Sequence, residues 1–205
     1  MVIIFGNQKG GVGKTSLATL FANYLSLVKN KKVLVIDMDA QRTIYSRYIE
    51  EKNLANQELY EVVELDIEKY PLIESSLLKD KDQIVIIDLP GRLDDENLIP
   101  IIQSAKNFIV PFHYDKNTFH STVTFCTVAK HLNPNSNMLL IPNRIKNTVR
   151  YEIQEQVDSE LGKFGKIVSK ISDTVGIQRV TTRDIPVKVL EHVEKSFEEI
   201  LAEIL

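Results

Sequence analysis

Residues 2–16, VIIFGNQKGGVGKTS, place four apolar residues before a glycine-rich turn and a Lys-Thr-Ser that opens an apolar run of helical period. A buried strand that feeds a helix through so many glycines leaves few folds open. Glycines let successive backbone N–H groups turn inward into an anion-binding nest, and the helix N-terminus adds its own positive end. Gly10, Gly11, Val12, Gly13, Lys14, Thr15 and Ser16 are therefore candidate nucleotide-binding residues. Lys14 would reach the β- and γ-phosphates as a catalytic cation, and the Thr15 hydroxyl would ligate Mg²⁺.

The rest of the chain reads as the sheet such a turn needs. Short apolar runs lie at 2–5, 32–37, 83–88, 107–112, 138–142 and 166–169, with a further one at 60–65. They are continuous rather than alternating, which predicts strands covered on both faces. Between them, helical periodicity predicts helices over 14–28, 41–51, 68–78, 96–105, 118–131, 148–161 and 187–205. The alternation predicts an α/β fold: a doubly wound, mostly parallel sheet with helices on both faces and right-handed crossovers. At 205 residues and 43% hydrophobic, without repeats or a Pro/Gly/Ser linker, residues 1–205 read as one domain. The acidic stretch 52–82 has mixed periodicity.

The turn departs from the strict pattern G-x-x-x-x-G-K-[ST], because Gln8 stands where the first glycine belongs. The run Lys9-Gly10-Gly11-Val12-Gly13-Lys14-Thr15 instead resembles the deviant Walker A box, K-G-G-x-x-K-[ST], of the ParA/MinD superfamily of P-loop ATPases. The resemblance implies that Lys9 is catalytic and crosses a dimer interface to the partner's nucleotide, giving an ATP-sandwich homodimer. A second cation near the phosphates would stabilise charge in phosphoryl transfer, as an arginine finger does.

Two carboxylate motifs follow in chain order. Residues 33–41, VLVIDMDAQ, form an apolar run ending in Asp37 and Asp39, and resemble the family's D-x-D-P-Q signature with Ala40 in place of proline. The resemblance implies that Asp39 orients or activates the attacking water and that Asp37 supports the Mg²⁺ region. Asp39 could alternatively cap the helix that follows. Residues 84–91, IVIIDLPG, have the Walker B pattern, with Asp88 as a Mg²⁺-holding carboxylate and Gly91 free to respond to the γ-phosphate. The strand at 138–142 leads into Asn143-Arg144, which resembles the family's corner where an asparagine reads adenine. Residues 171–174 would form the second wall of that base site.

Composition bears on partners. A net charge of −3 gives no global attraction to nucleic acid or to an anionic membrane, so such contacts require a local patch. Residues 142–190 carry nine Lys or Arg against six Asp or Glu, and the resemblance implies non-specific DNA binding there by an ATP dimer, with Arg179 and Arg183 the first to test. The last helix pairs an apolar stripe with a glutamate-rich face, unlike the basic amphipathic helix of a membrane-cycling MinD-like protein. One cysteine, Cys126, falls short of the ligands of a cluster-bearing reductase, and reads as a buried small hydrophobe. His113, His120, His131 and His192 lack metal-ligand spacing.

The reading is a small ParA-like partition or positioning ATPase, slow in hydrolysis unless stimulated by a ParB-like DNA-bound partner. ATP and Mg²⁺ are its cofactors. It is read as cytoplasmic, nucleoid-associated when ATP-bound, and without a membrane partner. With the first strand at residue 2, no N-terminal DNA-binding domain is expected. A MinD-like positioner or a ligase of the dethiobiotin synthetase type are the alternatives.

Overall fold

The computed structural model describes residues 1–53, 57–77 and 79–205. Seven strands, β1 (Val2–Phe5), β2 (Lys32–Asp37), β3 (Glu61–Glu64), β4 (Gln83–Asp88), β5 (Asn107–Phe112), β6 (Asn137–Pro142) and β7 (Lys166–Ile167), form one sheet in the order β3-β2-β4-β1-β5-β6-β7. Every pairing is parallel. The helices are α1 (Lys14–Leu27), α2 (Thr43–Glu50), α3 (Tyr70–Leu77), α4 (Leu98–Ser104), α5 (Lys116–Leu132), α6 (Gln154–Leu161), α7 (Val175–Gln178) and α8 (Val187–Ile204). They cover both faces, as the continuous apolar strands require.

Period two divides each strand between two cores. Ile3 and Phe5 pack with α1, α2, α7 and α8, whereas Val2 and Ile4 pack with α3, α4, α5 and α6. The first core is centred on Phe21 of α1, whose ring meets Phe5 at 5.9 Å and Phe197 of α8 at 5.0 Å. Strand β1 is central, with β4 on one side and β5 on the other, so the loop after β1 opens where the strand order reverses. Ligands of open parallel sheets bind at such points, beyond the carboxyl ends of the strands.

Several boundaries differ from the sequence reading, each for a local reason. The apolar run at 166–169 pairs only over Lys166–Ile167, because the Ser169 N–H and hydroxyl donate to Glu199 of α8 at 2.7 and 2.6 Å. The helix expected from 148 begins only at Gln154. Ahead of it the chain turns, with Val149 N–H donating to Lys146 O and Lys146 N–H to the Tyr151 hydroxyl. The expected helix 68–78 is a 3₁₀ turn, Ile67–Lys69, followed by α3, and residue 78 lies outside the described residues. Helix α7, absent from the sequence reading, is a single turn whose N-terminus is capped by the Thr174 hydroxyl at 3.4 Å from Ile177 N.

Candidate nucleotide site

The loop between β1 and α1 is anchored from below. Asn7 is 1% exposed, and its Nδ2 donates to Pro111 O of β5 and to Thr122 Oγ1 of α5, both at 2.8 Å. Its Oδ1 accepts the Lys9 N–H at 3.0 Å, which turns the chain into the glycines. Gly11 and Gly13 take positive φ of 77° and 96°, a region that an L side chain enters at a cost. At Gly13 no side chain has room: a Cβ would stand 2.3 Å from Asn143 Nδ2.

Helix α1 then opens with no capping side chain and no acidic residue in its first turn. Its N-terminal N–H groups and dipole are left to an anion. Lys14 is 6% exposed, and among the described residues its ammonium makes one long hydrogen bond, 3.5 Å to Lys9 O. Burial lowers its pKa, opposed by the charges of Asp88 and Asp39. A cation held in this way, with donors to spare, is poised for a negatively charged ligand.

Asp88 ends β4 with no exposed surface. Its Oδ2 accepts the Thr15 hydroxyl at 2.7 Å, while Oδ1 is buried without a partner among the described residues. Burial, aided by repulsion from Asp37 and Asp39 and opposed by the Thr15 bond and Lys14, raises its pKa to about 7. A buried carboxylate oxygen left unpaired is costly, and beside a Thr hydroxyl it suits Mg²⁺. Among the described residues no three His, Cys, Asp or Glu form a metal cage. That accords with an ion completed by phosphates and water, the usual arrangement for Mg²⁺.

The two aspartates after β2 have different roles. Asp37 is fully buried, and its Oδ2 accepts the N–H groups of Ile44 and Tyr45 at 2.9 and 3.1 Å while Oδ1 accepts that of Asp39 at 3.2 Å. Oδ2 thus anchors the start of α2, and Oδ1 holds the turn that carries Asp39. Asp39 does not cap that helix but closes a tight turn by accepting the Gln41 N–H at 3.0 Å. It lines the phosphate end of the cleft with Ala40 and Gln41.

The cleft itself, about 690 Å³, runs from Gly10–Ser16 past Pro90–Arg92 to a wall of Ser172, Asp173, Thr174, Ile177 and Gln178. Its size lies within the roughly 300–1,000 Å³ usual for small-molecule sites. Gly91 abuts the loop: a Cβ there would meet Lys14 Nζ at 3.5 Å and Gln8 O at 3.6 Å.

Asn143 and Arg144 both buttress the loop. Asn143 is 1% exposed, and its Nδ2 donates to Val12 O at 2.8 Å, leaving Oδ1 buried and unpaired among the described residues. Arg144, at φ 55°, donates from Nη1 to Gly11 O at 3.1 Å and lies 3.5 Å from Asp173. Lys9 is exposed and is not among the residues lining the cleft. Sequence reasoning missed Asn7, Gln41 and Arg92 as site residues. The adjacency of Asn7 to the glycines and of Arg92 to Gly91, and the place of Gln41 at the end of the second carboxylate motif, were the available signals.

Of the two arginines chosen to test for nucleic-acid contact, Arg179 is exposed and Arg183 is not. Arg183 is 4% exposed, stacks on the Tyr48 ring with 5.6 Å between guanidinium carbon and centroid, and faces Glu58 at 3.6 Å. It is part of the packing between α2 and the loop before α8, which removes it from any DNA surface.

A seven-stranded parallel sheet whose glycine loop closes on a strand-end aspartate defines the class, a P-loop nucleotide-binding fold. Residues 1–81 match a family model described as an AAA domain. A curated Borreliella burgdorferi protein, BBD21, is 39% identical over 83 residues, a match that spans 40% of this chain and only 28% of that relative. A Borrelia burgdorferi B31 structure named for plasmid partition, BB_S35 bound to AMPPNP, aligns over 100% of this chain and 98% of its own at TM-score 0.74 and 23% identity. The septum site-determining protein MinD of Pyrococcus horikoshii, complexed with Mg-ADP, covers 99% and 97% at TM-score 0.73 and 18% identity. Over its whole length the chain has the fold of these solved structures. Among the described residues, no helix is long and apolar enough to cross a membrane.

Proposed function

We propose that the chain is an ATPase of the partition or positioning type, which dimerises on ATP and is reset by hydrolysis. The observation that carries this reading is a set of unmet bonding capacities gathered at the glycine loop among the described residues. These are the Asp88 Oδ1, the Lys14 ammonium and the uncapped N-terminus of α1. Each matches a part of Mg²⁺-ATP.

The loop N–H groups and Lys14 would hold the β- and γ-phosphates, and Thr15 and Asp88 would hold Mg²⁺, which supplies charge neutralisation when bound. Asp39 orients a water for attack on the γ-phosphorus. The bond to the β,γ-bridging oxygen breaks, giving ADP and inorganic phosphate, and the water's proton leaves with the products. Asn143 Oδ1 would accept from the adenine amino group, the base lying between Arg144 and the 172–178 wall. Exposed Lys9, outside its own cleft, would reach the nucleotide of a second copy.

Support for a DNA-bound state is the group Lys146, Arg150, Lys170, Arg179 and Lys188, exposed and without an ion pair among the described residues. Lys163 and Lys166 are by contrast paired with Glu160 and Glu203 at 2.7 Å. Helix α8 buries its apolar stripe in the core and leaves Glu191 and Glu194 exposed, which weighs against this helix docking on an anionic membrane. The deciding experiment combines calorimetry of Mg²⁺-ATP binding, phosphate release and light scattering with and without ATP. A monomer at every nucleotide condition would sink the dimerising cycle.

A further inference from the structure

Residues 90–96 line two cavities in succession. Pro90, Gly91 and Arg92 face the nucleotide cleft, and Leu93, Asp94, Asp95 and Glu96 face a second groove of about 510 Å³ between α4 and α5. The floor of that groove is apolar, from Leu93, Ile99 and Ile102 on one side and Val128 and Leu132 on the other. Its rim is acidic. Asp94 and Glu96 are exposed and have no ion pair among the described residues, and Asp95 Oδ2 lies 3.3 Å from Arg92 Nη2.

Arg92 therefore lines the nucleotide cleft while its counter-ion belongs to the neighbouring groove. The pair is half open to solvent, with side-chain exposures of 59% and 20%, so it is held weakly and is open to competition. Asp95 keeps a structural role through its Oδ1, which accepts the Asn97 N–H and side-chain amide at 3.0 and 2.9 Å.

We propose that the α4/α5 groove docks a basic, apolar-faced helical segment of a partner protein, and that docking frees Arg92 from Asp95 to reach the bound nucleotide's phosphates. An apolar floor between two helices suits the apolar face of a third, and three successive carboxylates at the rim select lysines and arginines on the partner's flanks. A second copy of this chain, net −3 itself, is a poorer occupant. Once a partner cation claims Asp95, the nearest concentrated negative charge for Arg92 is the triphosphate. A guanidinium arriving there stabilises charge in the transition state. Docking and stimulated hydrolysis are then one event, carried by seven consecutive residues. The hydrolytic step rests on the ATPase reading above, whereas the docking does not.

The test uses a fluorescein-labelled 18-residue helical peptide with leucines on one face and lysines on the other, beside a counterpart with glutamates in place of lysines. By anisotropy without nucleotide, the lysine peptide should bind the wild-type chain, and Thr127→Arg, an exposed change at the groove, should weaken it about tenfold. The glutamate peptide should not bind. Equal binding of the lysine peptide to wild type and Thr127→Arg overturns the docking.

For the release, Asp95→Asn should raise basal phosphate release severalfold without peptide, and Arg92→Ala on that background should remove the gain. Unchanged turnover in Asp95→Asn overturns the role of Arg92. A wild-type chain that does not hydrolyse ATP overturns the ATPase reading and the Arg92 step with it, while the anisotropy still decides the docking.

Discussion

The Thr15 hydroxyl donates to Asp88 Oδ2 at 2.7 Å, so the first turn of α1 and the end of β4, 73 residues apart in sequence, share one bond behind the glycine loop. The other Asp88 oxygen, unpaired beside it, is where a divalent cation would be held.

That carboxylate sets a pH dependence. Burial raises Asp88 from 3.8 to about 7, so between those values the folded chain binds a proton that the unfolded chain releases. This carboxyl therefore stabilises the nucleotide-free protein most at the acid end of that window, a contribution lost as pH rises toward about 7. Mg²⁺-ATP affinity should move the opposite way, because the cation needs the ionised form. Melting temperature and affinity measured from about pH 5 to 8 should show both trends in wild type and neither in Asp88→Asn. Parallel curves for the two proteins would remove the assignment.

Lys14→Ala deletes the buried ammonium and its spare donors. Two charge-assisted bonds at about 1.5–3 kcal/mol each predict at least a hundredfold loss of ATP affinity. Calorimetry should find no heat at concentrations that saturate wild type.

Asp39→Ala leaves the cradle intact and removes the group that orients water. ATP binding should persist, phosphate release should fall by about two orders of magnitude or more, and light scattering should find the dimer retained. Turnover at the wild-type rate would take the catalytic role away from Asp39.

At Gly13, φ is 96° and a Cβ would meet Asn143 Nδ2 at 2.3 Å. Gly13→Ala should therefore displace Asn143 from Val12 O and abolish nucleotide binding. Asn143→Asp keeps the size but loses the donor, and should weaken binding by about tenfold through a loss on the order of 1–3 kcal/mol.

Arg183→Ala should lower the melting temperature, because it removes a buried guanidinium stacked on Tyr48, while leaving DNA affinity intact. Arg179→Ala should do the reverse, weakening ATP-dependent DNA binding measured at low salt. If Arg183→Ala alone reduced DNA binding in a stable protein, the surface would need redrawing.

How much of this was legible in the sequence depends on whether the cause is local. Glycines, a following Lys-Thr and an apolar strand specify a phosphate cradle within fifteen residues, because backbone conformation and dipole act over one turn. Asp37 and Asp39 show the limit. At this spacing the sequence treats them alike, yet Asp37 faces the start of α2 and is consumed by three N–H groups, while Asp39 remains on the cleft. Arg179 and Arg183 look equivalent in the same way, and burial against Tyr48 separates them.

The sequence by itself determined most of the elements, their parallel pairing and the chemistry of the loop from Lys9 to Thr15, since apolar continuity and glycine conformation are short-range properties. Tertiary structure alone decided which polar atoms remain unpaired. Asp88 Oδ1, Asn143 Oδ1 and the cation at Lys14 owe their state to neighbours brought from distant elements. So does the strand order that sets Arg92 between two cavities, for desolvation is a property of the packed whole.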